Sequence, residues 1–304
     1  MARLASLSGP IKYEWAATQA GTNFMDKGAS ILADRGIVKI SGAETLDFLH
    51  RLVTNSLLDL KPGEARYAAL LSGQGKLLYD FFVTPLPEGP QAGCLLDCLR
   101  EQIPDLVKKL NLHKLRAPVT IEDASESLAV AAVWGIPVPA DFSGIAFADP
   151  RAEALGTRLI APPEALAFAT TPQIYYEEHR TALGVPKGGI DFAYGDTFVH
   201  DADLDWLNGV DFKKGCYPGQ EVVARVHFRK SARKRILKVR FDGPPPAPGA
   251  EVKMGDINIG RIGSVAGATG LAMLRLDRIE DAKAAGTPLI AGTAALDVTP
   301  APPQ

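Results

Sequence analysis

The stretch KKGCYPGQE, residues 213–221, sets one cysteine between two lysines and a Pro-Gly turn, then follows it with an amide and a carboxylate. A thiol becomes a nucleophile or metal ligand as its thiolate, which exposure and nearby positive charge favour. Lys213, Lys214 and Arg225 supply that charge around Cys216. If GQEVVARVHF opens a helix, the helix N-terminus stabilises the thiolate further. Its β-branched content favours a strand by propensity, so both conformations stay open. Cys216 is then either a functional thiol, for exchange or transient metal contact, or a small loop residue. His227 is too remote in sequence to infer a Cys–His pair. Cys94 and Cys98 form a C-x3-C pair among apolar neighbours, with no further soft ligand close by. They read as buried, inert thiols, and no metal site is expected.

Asp80 is the second chemical candidate. In KLLYDFFV it alternates with Leu78 and Phe82 on one face of a strand. It is either an edge acid facing water or a buried carboxylate that accepts N–H donors of a ligand. From Lys213 to Arg240 there are ten Lys/Arg and one acid, Glu221, so the segment carries +9 and the rest of a −2 chain carries −11. Such a concentration is a solvated face or a site for an anion. Only Tyr217 and Phe228 interleave it, too few aromatics for a single-strand nucleic-acid platform. Asn55 after Thr54, and Gln74 beside Lys76, are polar groups at element ends.

The elements that must position these residues are legible as short strands and helices. ILADRGIVKI reads as a strand turning at Asp34–Gly36. SGAETLDFLHRLV reads as a helix with Ser41 and Glu44 at capping-box spacing. EARYAALLSGQGKLLYDFFV reads as two strands joined by Ser72–Gly75, and GCLLDCLR as another strand. EQIPDLVKKLN is a helix with Pro104 in its first turn, and APVTIEDA closes the unit as a strand. A second unit follows with strands in SLAVAAVWG and GTRLIAP and a helix in TPQIYYEEHRTALG. Three prolines in DGPPPAPG break the chain near 243. Beyond them, Gly-punctuated strands predict a small β-barrel. The expected architecture is α+β, with an extension at 1–24, one antiparallel lobe over 25–124, a second over 125–242 and the barrel over 243–304.

Composition bounds the rest. The chain has 304 residues, enough for two or three domains. Three cysteines do not build a disulfide scaffold, which points to a reducing compartment. No apolar run approaches the ~18 residues of a membrane span, so no membrane partner is expected. The N-terminus shows no secretory apolar core and too little Arg for a transit peptide.

KGCYPGQEVVAR closely resembles the signature of the YgfZ-type folate-binding proteins, relatives of the glycine-cleavage T-protein (aminomethyltransferase). GAETLDFLHRLVTNSLLDLKPGEARYAALLSGQGKLLYDFFV and GSVAGATGLAMLRLD resemble that family's N-terminal half and C-terminal barrel, so the likeness runs over roughly 35–300. It implies a three-lobed T-protein-like arrangement around a central hole that receives tetrahydrofolate or a derivative. It implies an accessory role in assembly or repair of iron–sulfur enzymes, with no established reaction, and iron–sulfur client or assembly proteins as partners. The compartment implied is cytoplasmic, or the mitochondrial matrix in a eukaryote. Cys216 is the expected functional residue. Asn55, Tyr67, Lys76, Asp80, Lys214, Gln220, Glu221 and Arg225 are the expected folate-binding set. Where the T-protein pattern has two acids before the strand core, this chain has Tyr79 and Asp80, and Ala182 stands where T-proteins carry a glutamate. Both departures count against the first alternative, a one-carbon transferase. The second alternative, an RNA-associated protein linked to tRNA modification, draws on the basic stretch alone.

Overall fold

The structure, a computed structural model, describes residues 26–299 apart from 88, 90 and 91. The extension expected over 1–24 and the tail from residue 300 lie outside the described residues. The first part of the chain runs β1 (Gly28–Ile31), β2 (Arg35–Ser41), α1 (Thr45–His50), β3 (Arg66–Leu71), β4 (Leu77–Pro85), β5 (Gly93–Leu99), α2 (Ile103–Lys114) and β6 (Thr120–Asp123). The second part runs β7 (Ala129–Trp134), β8 (Ile145–Ala148), β9 (Thr157–Ala161), α3 (Gln173–Ala182) and α4 (Gln220–Arg229). The third comprises β10 (Lys234–Asp242), β11 (Glu251–Met254), β12 (Ile257–Ala266), β13 (Thr269–Arg275), α5 (Leu276–Ala285), β14 (Leu289–Ala291) and β15 (Ala294–Val298).

These elements form two antiparallel sheets, ordered β3-β4-β5-β2-β6 and β1-β7-β9-β8, and a closed barrel, β10-β13-β12-β11-β14-β15. The α+β expectation holds. Helices α1 and α2 cover the outer face of the first sheet, burying Phe48, Leu49, Leu106 and Leu110 against Val38, Phe81, Cys94 and Leu96. Its other face, with Tyr67, Phe82 and Leu95, packs on Val130, Trp134, Ile160 and Tyr176 of the second lobe.

Four local expectations are corrected. First, ILADRGIVKI is not one turning strand. β1 pairs with β7 (Gly28↔Trp134) and β2 with β5 and β6, so the segment expected to open the first lobe gives its first strand to the second sheet. Second, no capping box forms. Ser41 ends β2, the cap residue is Glu44 without a side-chain cap bond, and the Thr45 hydroxyl instead donates to the Gly42 carbonyl at 2.7 Å. Third, alternation along β4 breaks at a bulge, where Leu70 faces Tyr79 but Leu71 faces Leu77. The extra residue turns Leu78 to the helix-covered face with Tyr79, while Asp80 shares the inner face with Phe82. Fourth, the barrel begins at β10, before the boundary expected at 243. Pro244–Pro246 lie in the connection between β10 and β11. A proline run interrupts a strand connection as effectively as it marks a linker.

A chain of charges ties the two sheets together. Arg35 on β2 donates to a carboxylate oxygen of Asp97 at 2.6 Å, and Arg158 on β9 donates to the other. Arg158 also reaches Asp149 at 3.0 Å, which Arg151 grips through two nitrogens. Asp97 is fully buried, and the three guanidiniums lie over the Phe82 ring at 4.1–5.7 Å from its centre. Burial opposes ionisation of Asp149, yet Arg151 and Arg158 hold its carboxyl down at about 2. The barrel docks through a similar motif. Asp191 accepts from Arg180 (3.1 Å) and from the backbone and hydroxyl of Ser264 on β12 (2.6 and 2.9 Å).

His200 is 2% exposed and its Nε2 has no hydrogen-bond partner; its ring lies 6.2 Å from Phe212 and 6.4 Å from His227. Burial, opposed by Asp205, pushes its pKa down to about 4. Two stability predictions follow from these groups. Asp97→Ala leaves Arg35 without a carboxylate partner and Arg158 with Asp149 alone, and is expected to cost about 3–5 kcal/mol, read as a lower urea midpoint. His200 binds its proton in the unfolded chain near pH 6.5 but in the folded chain only near 4. Its contribution is therefore intact above pH 6.5 and lost as pH falls toward 4, by about 2–3 kcal/mol. Urea titrations from pH 7 to 4 should show a shallower decline for His200→Phe than for wild type; parallel declines would refute this assignment.

Candidate functional site

Cys216 is exposed, whereas Cys94 and Cys98 are sealed in the core beneath α1 and α2. Burial pushes both core thiols up, Cys98 to about 12. Among the described residues Cys216 is therefore the thiol open to chemistry. It stands on a two-residue bridge: Gly215 and Cys216 are exposed, while Lys214 before them and Tyr217 after them are buried. The sequence GQEVVARVHF, left open between helix and strand, is helix α4. Cys216 lies four residues ahead of its first residue, and the chain turns through Pro218 and Gly219 between them. Gly219 has φ +81°, and a side chain there would meet the Ser72 carbonyl at 2.6 Å and Gly75 at 2.8 Å. This close approach seats the start of α4 on the β3–β4 turn.

Lys214 does not face outward. Its ammonium donates to the carbonyls of His50 (2.6 Å), Val53 and Asn55 (3.2 Å) at the end of α1 and just beyond. It also lies 5.0 Å from the Tyr217 ring centre. Burial, against the pull of Asp211, lowers its pKa to about 8. The same two segments are stitched further along. The Thr54 hydroxyl donates to the Gly209 carbonyl at 2.6 Å, and the Asp211 amide to the Thr54 carbonyl at 3.0 Å. Asn55 donates to the carbonyls of Tyr67 (2.8 Å) and Asn208 (2.7 Å) and accepts from the Ser56 amide at 2.9 Å.

The other expected residues divide between the interior and the surface. Asp80 is 6% exposed and faces neither water nor an open donor. One oxygen accepts from the Tyr67 hydroxyl at 2.8 Å and the other from the Tyr194 hydroxyl. Burial and the adjoining carboxylate push both phenols well above their ordinary range. Lys76 donates to the Asp196 carbonyl and lies 3.7 Å from the Phe198 ring centre. Gln220 reaches back to the Lys214 carbonyl at 3.5 Å, and Glu221 and Arg225 are exposed on α4. The basic stretch does not converge into one cradle. Arg235 is buried and paired to Asp205 at 2.6 Å, while Arg225, Arg229, Arg233 and Lys234 are exposed.

A cavity of about 550 Å³ opens elsewhere, between the β2/β6 edge and β8–β9, lined by Lys39, Leu95, Glu122, Leu128, Ile145 and Ile160 among others. None of the expected site residues lines it. Tyr194, His50 and Val53 carry no signal in the sequence, since nothing in their spacing marks a distant partner, whereas Asn55, expected to meet a ligand, anchors Lys214 through its carbonyl. Asp97 did carry a signal: a carboxylate in GCLLDCLR that shares the inward face with Leu95 requires a cation.

The GCVT N-terminal domain family matches residues 10–140, and the CAF17 C-terminal beta-barrel domain family matches residues 233–304. The latter start agrees with the barrel opening at β10. The iron–sulfur cluster assembly factor IBA57 of Homo sapiens is 32% identical over 276 residues, covering 82% of this chain and 78% of that protein. Its Mus musculus counterpart is 31% identical over 278 residues, with the same coverage. The IBA57 homolog of Mycosarcoma maydis is 33% identical over 232 residues, covering 70% of this chain and 58% of that protein. The glycine cleavage system aminomethyltransferase T from Bartonella henselae superposes with a TM-score of 0.70 at 16% identity, over 91% of this chain and 85% of that one, which establishes a common fold. By its identity to the mammalian proteins over more than two thirds of their length, the chain belongs to the family of the iron–sulfur cluster assembly factor IBA57.

Proposed function

We propose that the protein is an accessory factor in iron–sulfur cluster assembly or repair that acts through the thiol of Cys216. The observation that carries this reading is the contrast among three cysteines: two sealed and held protonated, one presented on a short bridge between buried anchors. A cluster commonly takes about four thiolates. One accessible thiol supplies one of these, so a cluster in contact with Cys216 draws its other ligands from a second protein. The relatives at 31–33% identity are named as iron–sulfur cluster assembly factors and as mitochondrial. An iron–sulfur client or assembly protein is accordingly the partner, and the mitochondrial matrix, or the cytoplasm of a bacterium, the compartment. Among the described residues no helix is long and apolar enough to cross a membrane.

Tetrahydrofolate, implied by the resemblance, fits the expected residues poorly as they stand. Both oxygens of Asp80 accept phenol hydroxyls, the Asn55 amide holds two carbonyls, and the three N–H groups of Lys214 have three carbonyl acceptors. A pterin at Asp80 has to displace Tyr194 or share its oxygen. The thiol reading does not depend on a folate.

Two measurements test these statements. Cys216→Ser is expected to keep the wild-type melting temperature within about 1 °C and yet fail to restore iron–sulfur enzyme activity in a strain lacking the gene. Full restoration would refute the thiol reading. Titration with folinic acid is expected to give the same weak affinity, within about twofold, for wild type and Asp80→Asn. A loss of tenfold or more in the variant would place the pterin on Asp80 after all.

A further inference from the structure

The basic residue nearest the thiol in the interior is not available to an anion. An ammonium has three N–H donors, and those of Lys214 meet the carbonyls of His50, Val53 and Asn55. The carbonyls in the last turn of a helix lack partners within the helix. Here α1 ends at His50, and a lysine from 164 residues away closes that end. Lys213, its neighbour, is exposed. The two lysines of the signature therefore have different employments. Lys214 is 8% exposed, and only Gly215 and Cys216 intervene before Tyr217, which is again buried at 7%. Two residues span at most about 7 Å of extended chain, so the place of Lys214 confines the place of the thiol.

We infer that Lys214 is the positioning residue of the thiol, its ammonium latching the Cys216 loop of one lobe onto the α1 end of the other. The inference deepens the reading of Cys216 as the functional group and rests on it. Beside the latch, the Thr54–Gly209, Thr54–Asp211 and Asn55–Asn208 bonds hold the approach to the loop. On its far side the Gly219–Gly75 contact fixes the turn into α4. Lys214 is the link closest to the cysteine on the upstream side, which makes it the one whose removal frees the bridge while the approach stays stitched. Arginine is no substitute. A planar fork cannot direct three donors at three carbonyls converging on one nitrogen.

Hydrogen exchange by mass spectrometry on the full-length chain tests the latch, using wild type, Lys214→Met, Lys214→Arg and Cys216→Ser. Amides of residues 213–220 are expected to lose tenfold or more of their protection in both Lys214 variants, while that of Asp211 keeps its own. Peptides from β3, β4 and β5 should keep theirs, and Cys216→Ser should match wild type. Cys94 and Cys98 should stay unlabelled by iodoacetamide throughout, which reports an intact core. Lys214→Met should also fail to restore iron–sulfur enzymes, as Cys216→Ser does. Unchanged protection over 213–220, an equal loss across the first sheet, or full recovery with arginine would each overturn the latch. Local loss of protection with full restoration of the enzymes by Lys214→Met would overturn the positioning role, whereas full restoration by Cys216→Ser would remove the thiol reading and leave the latch standing. If Lys214→Met does not fold, Lys214→Gln, which keeps two donors on a shorter stem, replaces it under the same criteria.

Discussion

Asp97 sits at zero exposure between Arg35 and Arg158, and the relation of the two sheets depends on it. Taking a carboxylate out of water is costly unless cations and donors replace the lost hydration. One cation comes from its own sheet and the other from the facing sheet, so both oxygens are paired only when the lobes are docked. Asp149 and Arg151 extend the chain, and the Phe82 ring fills the space among the guanidiniums. Three arginines against two aspartates leave one positive charge. Asp80 lies on the same strand face as Phe82 and interacts favourably with Arg35. Its burial is thus part of the same balance, and its two tyrosine partners complete its hydrogen bonding.

This accounts for the different fates of the residues picked from the sequence. Asp80, Tyr67, Asn55 and Lys214 were chosen as polar groups able to meet a ligand, and each meets another part of the chain. Apart from Ser56 beside Asn55, their partners lie between 12 and 164 residues away. Sequence spacing records which groups need partners, not which groups supply them. Cys216 differs because its signal was local. A glycine on one side and a Pro-Gly turn two residues on leave a thiol little to pack against, and it is exposed as that pattern implies.

The same division runs through the fold. The strands β3, β4 and β5, the helices α2 and α3 and the Gly-punctuated barrel were readable, because their periodicity and turns are encoded within a dozen residues. What sequence could not convey was membership: that Gly28–Ile31 joins the sheet of β7, or that β10 closes the barrel against β15. Strand pairing is decided by shapes that exist only once several segments have met. The bulge in β4 is an intermediate case. A single inserted residue left the strand recognisable but moved Leu78 to the opposite face.

The exchange of β1 also bears on how the protein is made. β1 and its partner β7 are separated by 97 residues, with the whole five-stranded sheet between them. On a ribosome β1 emerges before that sheet and long before β7, so its pairing in the second sheet waits until the first sheet has been synthesised. The two lobes are consequently interlaced by their covalent order. Neither can be cut out as a self-contained fragment at the junction between them without leaving an edge for some other strand to fill.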